Sequence, residues 1–301
     1  MKPEANSLRA VIFALFGNLA IAVIKYIVSV ISGSSAMFAE SIHSLADTTN
    51  QVLLLIGRKR SGKKPDEIHP FGYGKEEYFW GFLVAVLLFF LGGCYSIYEG
   101  IHKYLHPEPI GNYLYIFIVL VSAIIIEAKS FSVAYKEFRK SYSSDLVKAW
   151  KESTDTNLFV ILLEDLSALL GLSIVLVSSL LSLIHPIFDI IGTILVGSLL
   201  IFMSWQLANE LRKLMVGENI PREMRNNIRK IIKKYSCIRH INNIRSMYIG
   251  KNNFILLVSL DFDDRSNVPV IESVSEEIKS EITKQYPNAR YIYLDVKDSD
   301  R

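Results

Sequence analysis

PIFDIIGTILVGSLLIFMSWQLA, residues 186–208, is a run of 23 residues with one ionisable side chain, Asp189, near its start. Crossing the hydrocarbon core of a bilayer takes about 20 apolar residues in a helix, so the stretch reads as a membrane span. Working outward from it, five more stretches reach that length: roughly 9–31, 35–57, 78–101, 112–135 and 156–183. The first begins near Leu8 and outruns a signal-peptide core without an A-x-A cleavage site, so it is expected to be retained as a helix. Half of the 301 residues are hydrophobic and the mean hydropathy is +0.29, more apolar than an average soluble domain. The excess is expected to face lipid. A net charge of +3, with no basic stripe interleaved with stacking aromatics, speaks against a nucleic-acid partner. Two cysteines, Cys94 and Cys237, build neither a disulfide framework nor a thiolate metal cage.

Six spans place both termini on one side, and the short connections say which. Ser32-Gly33-Ser34-Ser35 and Leu181-Ser182-Leu183-Ile184-His185 carry no Lys or Arg, and the connection between the third and fourth spans holds only Lys103. The others hold Arg58, Lys59, Arg60, Lys63, Lys64 and Lys75, then Lys136, Arg139, Lys140, Lys148 and Lys151, with Arg212 and Lys213 after the last span. Because basic loops stay in the cytosol, these connections and both termini are expected there, in the inner membrane if the cell is prokaryotic.

After Trp205 the composition turns charged and amphipathic, and Gly217 marks the expected boundary between a membrane domain, 1–216, and a cytosolic domain, 217–301. In that tail Asn219 is expected to cap, and Pro221 to open, a helix through about Tyr235. His240–Tyr248 reads as a strand, 250–253 as a turn, and Phe254, Leu256, Val258, Leu260 and Phe262 alternate as a second strand. Pro269 introduces a helix to about Gln285, and Ile292, Leu294 and Val296 alternate after it. The expected fold is therefore an all-α six-helix membrane bundle followed by an α+β domain of order αββαβ.

An ionisable group inside a span costs about 2.5–3.5 kcal/mol to insert, so each needs a partner or a function. Lys25, Glu99, Glu127, Lys129 and Asp189 are isolated or nearer span ends, where snorkelling or pairing with a neighbouring helix suffices. His43 and Asp47 differ: spaced i,i+4 near the middle of the second span, they share one helical face and can converge on one cation. Glu164 and Asp165 sit side by side in the fifth span, where two carboxylates repel unless a cation or proton neutralises them. One nitrogen and three carboxylates, with no sulfur, suit tetrahedral Zn2+; Mn2+, Fe2+, Co2+ and Cd2+ accept the same donor types. The alternative is a salt bridge or a protonated acid that helps helices pack, and the absence of a basic residue in the same layer is expected to disfavour it. In the cytosolic loop, Asp66 and His69 at i,i+3 could bind metal at the pore entrance, or could simply shape a Pro- and Gly-rich turn.

These residues resemble the cation diffusion facilitator family, which includes the zinc transporters of solute carrier family 30 and bacterial relatives. The resemblance rests on Ala39-Glu40-Ser41-Ile42-His43-Ser44-Leu45-Ala46-Asp47, on the loop Pro65–Lys75, on Leu163-Glu164-Asp165 and on the αββαβ tail. Leu162–Asp165 and His185–Asp189 are similar to the mitochondrial zinc-transporter branch. The resemblance implies a homodimer, a metallochaperone-like tail, and exchange of zinc for protons by alternating access. It assigns His43, Asp47 and Asp165 to the transport site. The usual fourth ligand, one turn before the fifth-span Asp, is Ile161 here, with Glu164 the nearest substitute. Tyr73 stands where some members have a third loop ligand, and the tail has a lone His, His240. Lys75 resembles the lysine of the family's charge interlock at the dimer interface, with Glu218 the closest acid to its partner's position.

A secondary transporter is the function this reading reaches, since no P-loop is present to drive primary transport. A membrane protease is disfavoured because H-E-x-x-H and G-x-S-x-G are both absent. A non-transporting dimer that senses or scaffolds metal is the remaining alternative, kept open by Ile161.

Overall fold

The computed structural model describes residues 3–107, 109–141, 156–250 and 253–298. It divides into two compact units, Met1–Ile56 with Trp80–Asn209, and Gly57–Phe79 with Glu210–Arg301. The loop after the second helix thus clusters with the tail.

The helical part comprises α1 (Pro3–Ser32), α2 (Ser35–Ser61), α3 (Glu76–Leu87), α4 (Tyr95–Leu105), α5 (Tyr113–Ser141), α6 (Thr156–Ser182) and α7 (Ile187–Val216). A π-type turn at Leu88–Cys94 joins α3 to α4 without a break in the helix. Among the described residues, five helices are long and apolar enough to cross a membrane: α1, α3 with α4, α5, α6 and α7. Helix α2 has the length but not the apolarity, because Glu40, Ser41, His43, Ser44, Asp47 and Thr48 interrupt its hydrophobic run.

An apolar core holds the first unit together: Ala36, Met37 and Ala39 meet Ile116, Leu120, Leu172, Val175, Val196 and Leu200. Large apolar side chains such as Val30, Ile118, Val177 and Phe202 point outward instead, an inversion that lipid as solvent stabilises. Against α7, Gly93 approaches so closely that an added Cβ would lie 2.4 Å from Ile201 Cγ1, and one on Gly197 would lie 3.0 Å from the Gly93 carbonyl. Close backbone approach of this kind is how helices associate when no hydrophobic effect drives them together.

Asp189 and Lys103 prove to be structural. Asp189 is fully buried and accepts from Ser34 Oγ at 2.5 Å and from the Ser35 and Ala36 amides at 2.8 and 3.4 Å. It therefore satisfies the free N–H groups at the start of α2, where a negative charge also complements the helix dipole. Lys103 is buried as well, donates to the Gly33 carbonyl and stands 3.6 Å from Asp189 Oδ2.

In the second unit, α8 (Arg222–Ile232), β1 (Ile238–Tyr248), β2 (Phe254–Phe262), α9 (Val268–Gln285) and β3 (Ala289–Val296) follow the αββαβ order expected from the pattern. The sheet order is β1-β2-β3, with β1 antiparallel and β3 parallel to the central β2. Phe254, Leu256, Val258, Leu260 and Phe262 pack on Ile228, Ile232, Ile278 and Ile282 of the two helices. Asn267 caps α9, its side chain accepting from the Val270 amide at 3.1 Å. Asn219 does not cap α8 as expected: it accepts from Ser246 Oγ, and Pro221 is the residue preceding the helix.

Within this unit Gly74 and Gly250 touch backbone to backbone. A Cβ on Gly74 would fall 2.1 Å from the Ile249 carbonyl, and Gly250 adopts φ +159 with its Cβ position 2.8 Å from Gly74 Cα. Tyr78 seals the junction, donating to the Gly250 carbonyl at 2.7 Å.

Candidate cation site

Helix α2 carries His43 and Asp47, two of the candidate ligands. His43 is 5% exposed, and among the described residues neither of its ring nitrogens has a hydrogen-bond partner. Its Nε2 lies 3.6 Å from Asp47 Oδ2, one turn along the same face. A buried imidazole without a partner forfeits about 1–3 kcal/mol, a cost that a ligand between His43 and Asp47 would offset.

Asp165 of α6 is half-buried and accepts from Ser130 Oγ of α5 at 3.2 Å. Glu127, one turn before Ser130 on α5, lies within electrostatic reach of Asp47, Asp165, His43 and Lys25. Glu127 is thus not isolated, whereas Lys25 pairs with a neighbouring helix as expected, through Glu40 of α2. The side chains of Ile161 and Glu164 lie outside the described residues. Among the described residues, no three His, Cys, Asp or Glu side chains are drawn together closely enough to share one ion.

The layer also contains a base that the sequence reading placed elsewhere. Lys25 of α1 is 1% exposed, and its Nζ donates to Glu40 Oε1 at 2.9 Å and to Ser44 Oγ at 2.7 Å. Glu40 and Ser44 flank His43 on α2, so a basic residue does stand beside the cluster. It is already neutralised by Glu40, which leaves Asp47 and Asp165 without a described cationic partner at bonding distance.

The loop pair forms a turn. Asp66 Oδ1 accepts from the Ile68 and His69 amides at 3.1 and 2.7 Å, and its Oδ2 accepts from the Tyr73 hydroxyl at 2.6 Å. His69 Nδ1 is 3.5 Å from Asp66 Oδ1, and its ring lies 4.1 Å from that of Tyr73. The Tyr73 hydroxyl and the two amides hold the Asp66 carboxyl below the usual carboxylate range, and the same bond raises the Tyr73 phenol. With three donors on its oxygens, Asp66 has little capacity left for an ion. Lys75 Nζ lies 3.3 Å from the Met215 carbonyl and 3.5 Å from Met247 Sδ, and among the described residues no ion pair joins it to Glu218.

The cation efflux transmembrane domain matches residues 11–216. The mitochondrial proton-coupled zinc antiporter SLC30A9 of Homo sapiens is 31% identical over 246 residues, covering 80% of this chain and 43% of that protein. Metal tolerance protein C4 of Arabidopsis thaliana is 30% identical over 266 residues, 86% of this chain and 58% of the relative. The chain spans less than two thirds of the length of these two. The manganese efflux system protein MneP of Bacillus subtilis is 23% identical over 295 residues, 97% of this chain and 96% of that protein. On the strength of a domain match covering most of its length, the chain belongs to the cation diffusion facilitator family of cation-efflux transporters.

Proposed function

We propose that the protein exports a divalent transition-metal cation, zinc first, from the cytosol in exchange for protons. Its six helical stretches would all cross the membrane, α2 as the polar one lining the path, with both termini cytosolic. Residues 1–216 would form the membrane domain and 217–301 the cytosolic domain of a homodimer, in which Lys75 and Glu218 could pair between chains. The observation that carries the reading is His43: buried, without a hydrogen-bond partner, and 3.6 Å from a carboxylate on the same helix face. Asp47 and Asp165 would complete the ligand set, with Glu164 as a further candidate. Asp66 and His69 are at most a weak loop site, because Asp66 is already occupied by donors.

Coupling follows from the donors. A cation needs an unprotonated imidazole and ionised carboxylates, so protons compete for the same atoms. Cytosolic metal would displace protons from His43, Asp47 and Asp165; protonation from the other side would release it, and the protonated site would return. Zinc rests on the zinc-antiporter relatives and the N/O donor set, while the near-full-length manganese relative supports Mn2+ as a second cargo. The test is metal flux into proteoliposomes under a pH gradient of either sign. Flux that ignores the gradient and moves no protons would exclude antiport.

A further inference from the structure

Glu40 is the one acid of α2 that the transport reading leaves without a task. It is 0% exposed, and while Oε1 is held by Lys25, Oε2 is buried with no hydrogen-bond partner among the described residues. That atom points at α6, where a Cβ added to Gly171 would lie 3.0 Å from it. The missing side chain at Gly171 therefore keeps the space beside Oε2 open. Three residues on, His43 also has bare nitrogens, and residues spaced i,i+3 share a helix face. Two buried groups one turn apart on α2 thus carry polar atoms without a described partner, and a cation drawn between them would satisfy both.

We propose that Glu40 Oε2 and His43 form a second cation subsite on α2, reached after the His43–Asp47 position and used for release. This rests on the transport reading, in which α2 runs from the outer face at Ser35 to the cytosol at Ser61. Glu40 then lies outward of His43, and Asp47 inward. At 1.5 Å rise per residue, Glu40 and Asp47 are about 10 Å apart along the axis, with His43 between them to hand the ion on. Lys25 makes the subsite weak by drawing on the same carboxylate. Weak binding is what an exit position needs, since an ion must be attracted enough to enter and loosely enough to leave. The bare oxygen opposite a glycine supplies the room, and the lysine sets the affinity.

The test uses the full chain, with Zn2+ as probe, in zinc-binding titrations and in proteoliposome flux. The Lys25→Met, Glu40→Gln pair removes the carboxylate while leaving no buried charge unpaired. Gly171→Ala instead puts a methyl against Oε2 and leaves Lys25 and Glu40 in place. Because one imidazole serves both positions, they are alternatives for a single ion: both variants are expected to keep zinc binding at the His43–Asp47 position, which shows that they are folded, and to lower flux at saturating zinc by about tenfold. Should both variants bind zinc and transport within about twofold of wild type, the subsite is overturned. A wild-type chain that moves neither zinc nor manganese would instead remove the transport reading, so the two failures are distinguishable.

Discussion

Lys25 Nζ and Glu40 Oε1 stand 2.9 Å apart with both side chains withdrawn from the surface, tying α1 to α2 beside His43. A pair this deep owes little net stability to its own attraction, because desolvation offsets it, but removing one partner strands the other. Lys25→Met alone should therefore destabilise the membrane unit by about 3–5 kcal/mol, and adding Glu40→Gln should recover most of that. Thermal unfolding in detergent, compared across the single and double variants, measures the coupling. Equal losses for single and double variants would show that the pair does not act as a unit.

Asp47 and Asp165 should be indispensable for transport and dispensable for assembly. Outer-shell partners of a metal are worth about 10–100-fold, and removal of a ligand should exceed that, so Asp47→Ala and Asp165→Ala should each reduce zinc flux by about 100-fold or more. Elution of each variant at the wild-type volume would show that assembly survives. Glu164→Ala is the discriminating companion: normal flux would limit these two helices to three side-chain donors.

The loop turn carries a pH signature. Because the folded state lowers the Asp66 carboxyl, its stabilising effect is complete above the ordinary carboxylate range and is lost as pH falls through the lowered value. Tyr73→Phe removes the largest cause, so Asp66 should titrate higher in that variant than in wild type, with the loop loosening at correspondingly higher pH. Carboxyl chemical shifts followed by NMR give the comparison, and an unmoved Asp66 would mean that the amides alone hold it.

The tail should fold without the membrane unit, since its core is closed by its own residues, Ile228, Leu256, Leu260, Ile278 and Ile282 among them. A fragment of residues 217–301 is expected to give the circular dichroism of a mixed α/β fold and to unfold cooperatively. Leu256→Ala, at 0% exposure, should cost it about 2–5 kcal/mol. A fragment that stays unfolded would show that it depends on the loop 57–79.

Much of this was readable from residue order alone. Five spans and the αββαβ tail follow from apolar runs and alternation, which the solvent imposes directly. The stretch 35–57 was read as a span by its length, yet among the described residues α2 is not one of the five helices apolar enough to cross a membrane, because Glu40, His43 and Asp47 interrupt its apolar run. The Lys25–Glu40 pair was missed because tertiary pairing leaves no local pattern. One signal was present: eight residues before Gly33 stands Lys25, and seven after it Glu40, which an antiparallel helical hairpin brings side by side. Glu127 was missed for the same reason. Asn219 misled because Ser246, distant in sequence, competes for its side chain.

The contact of Gly74 with Gly250 bears on how this protein can be recombined with its relatives. With an added Cβ at Gly74 only 2.1 Å from the Ile249 carbonyl, neither backbone can yield without shifting the other. A chimera that imports a foreign tail but keeps the native 57–79 segment would join two surfaces shaped for different partners. The exchangeable cassette is therefore discontinuous, comprising 57–79 together with everything from Glu210 onward, and domain swaps designed on a single cut near Gly217 would divide a unit that the fold keeps whole.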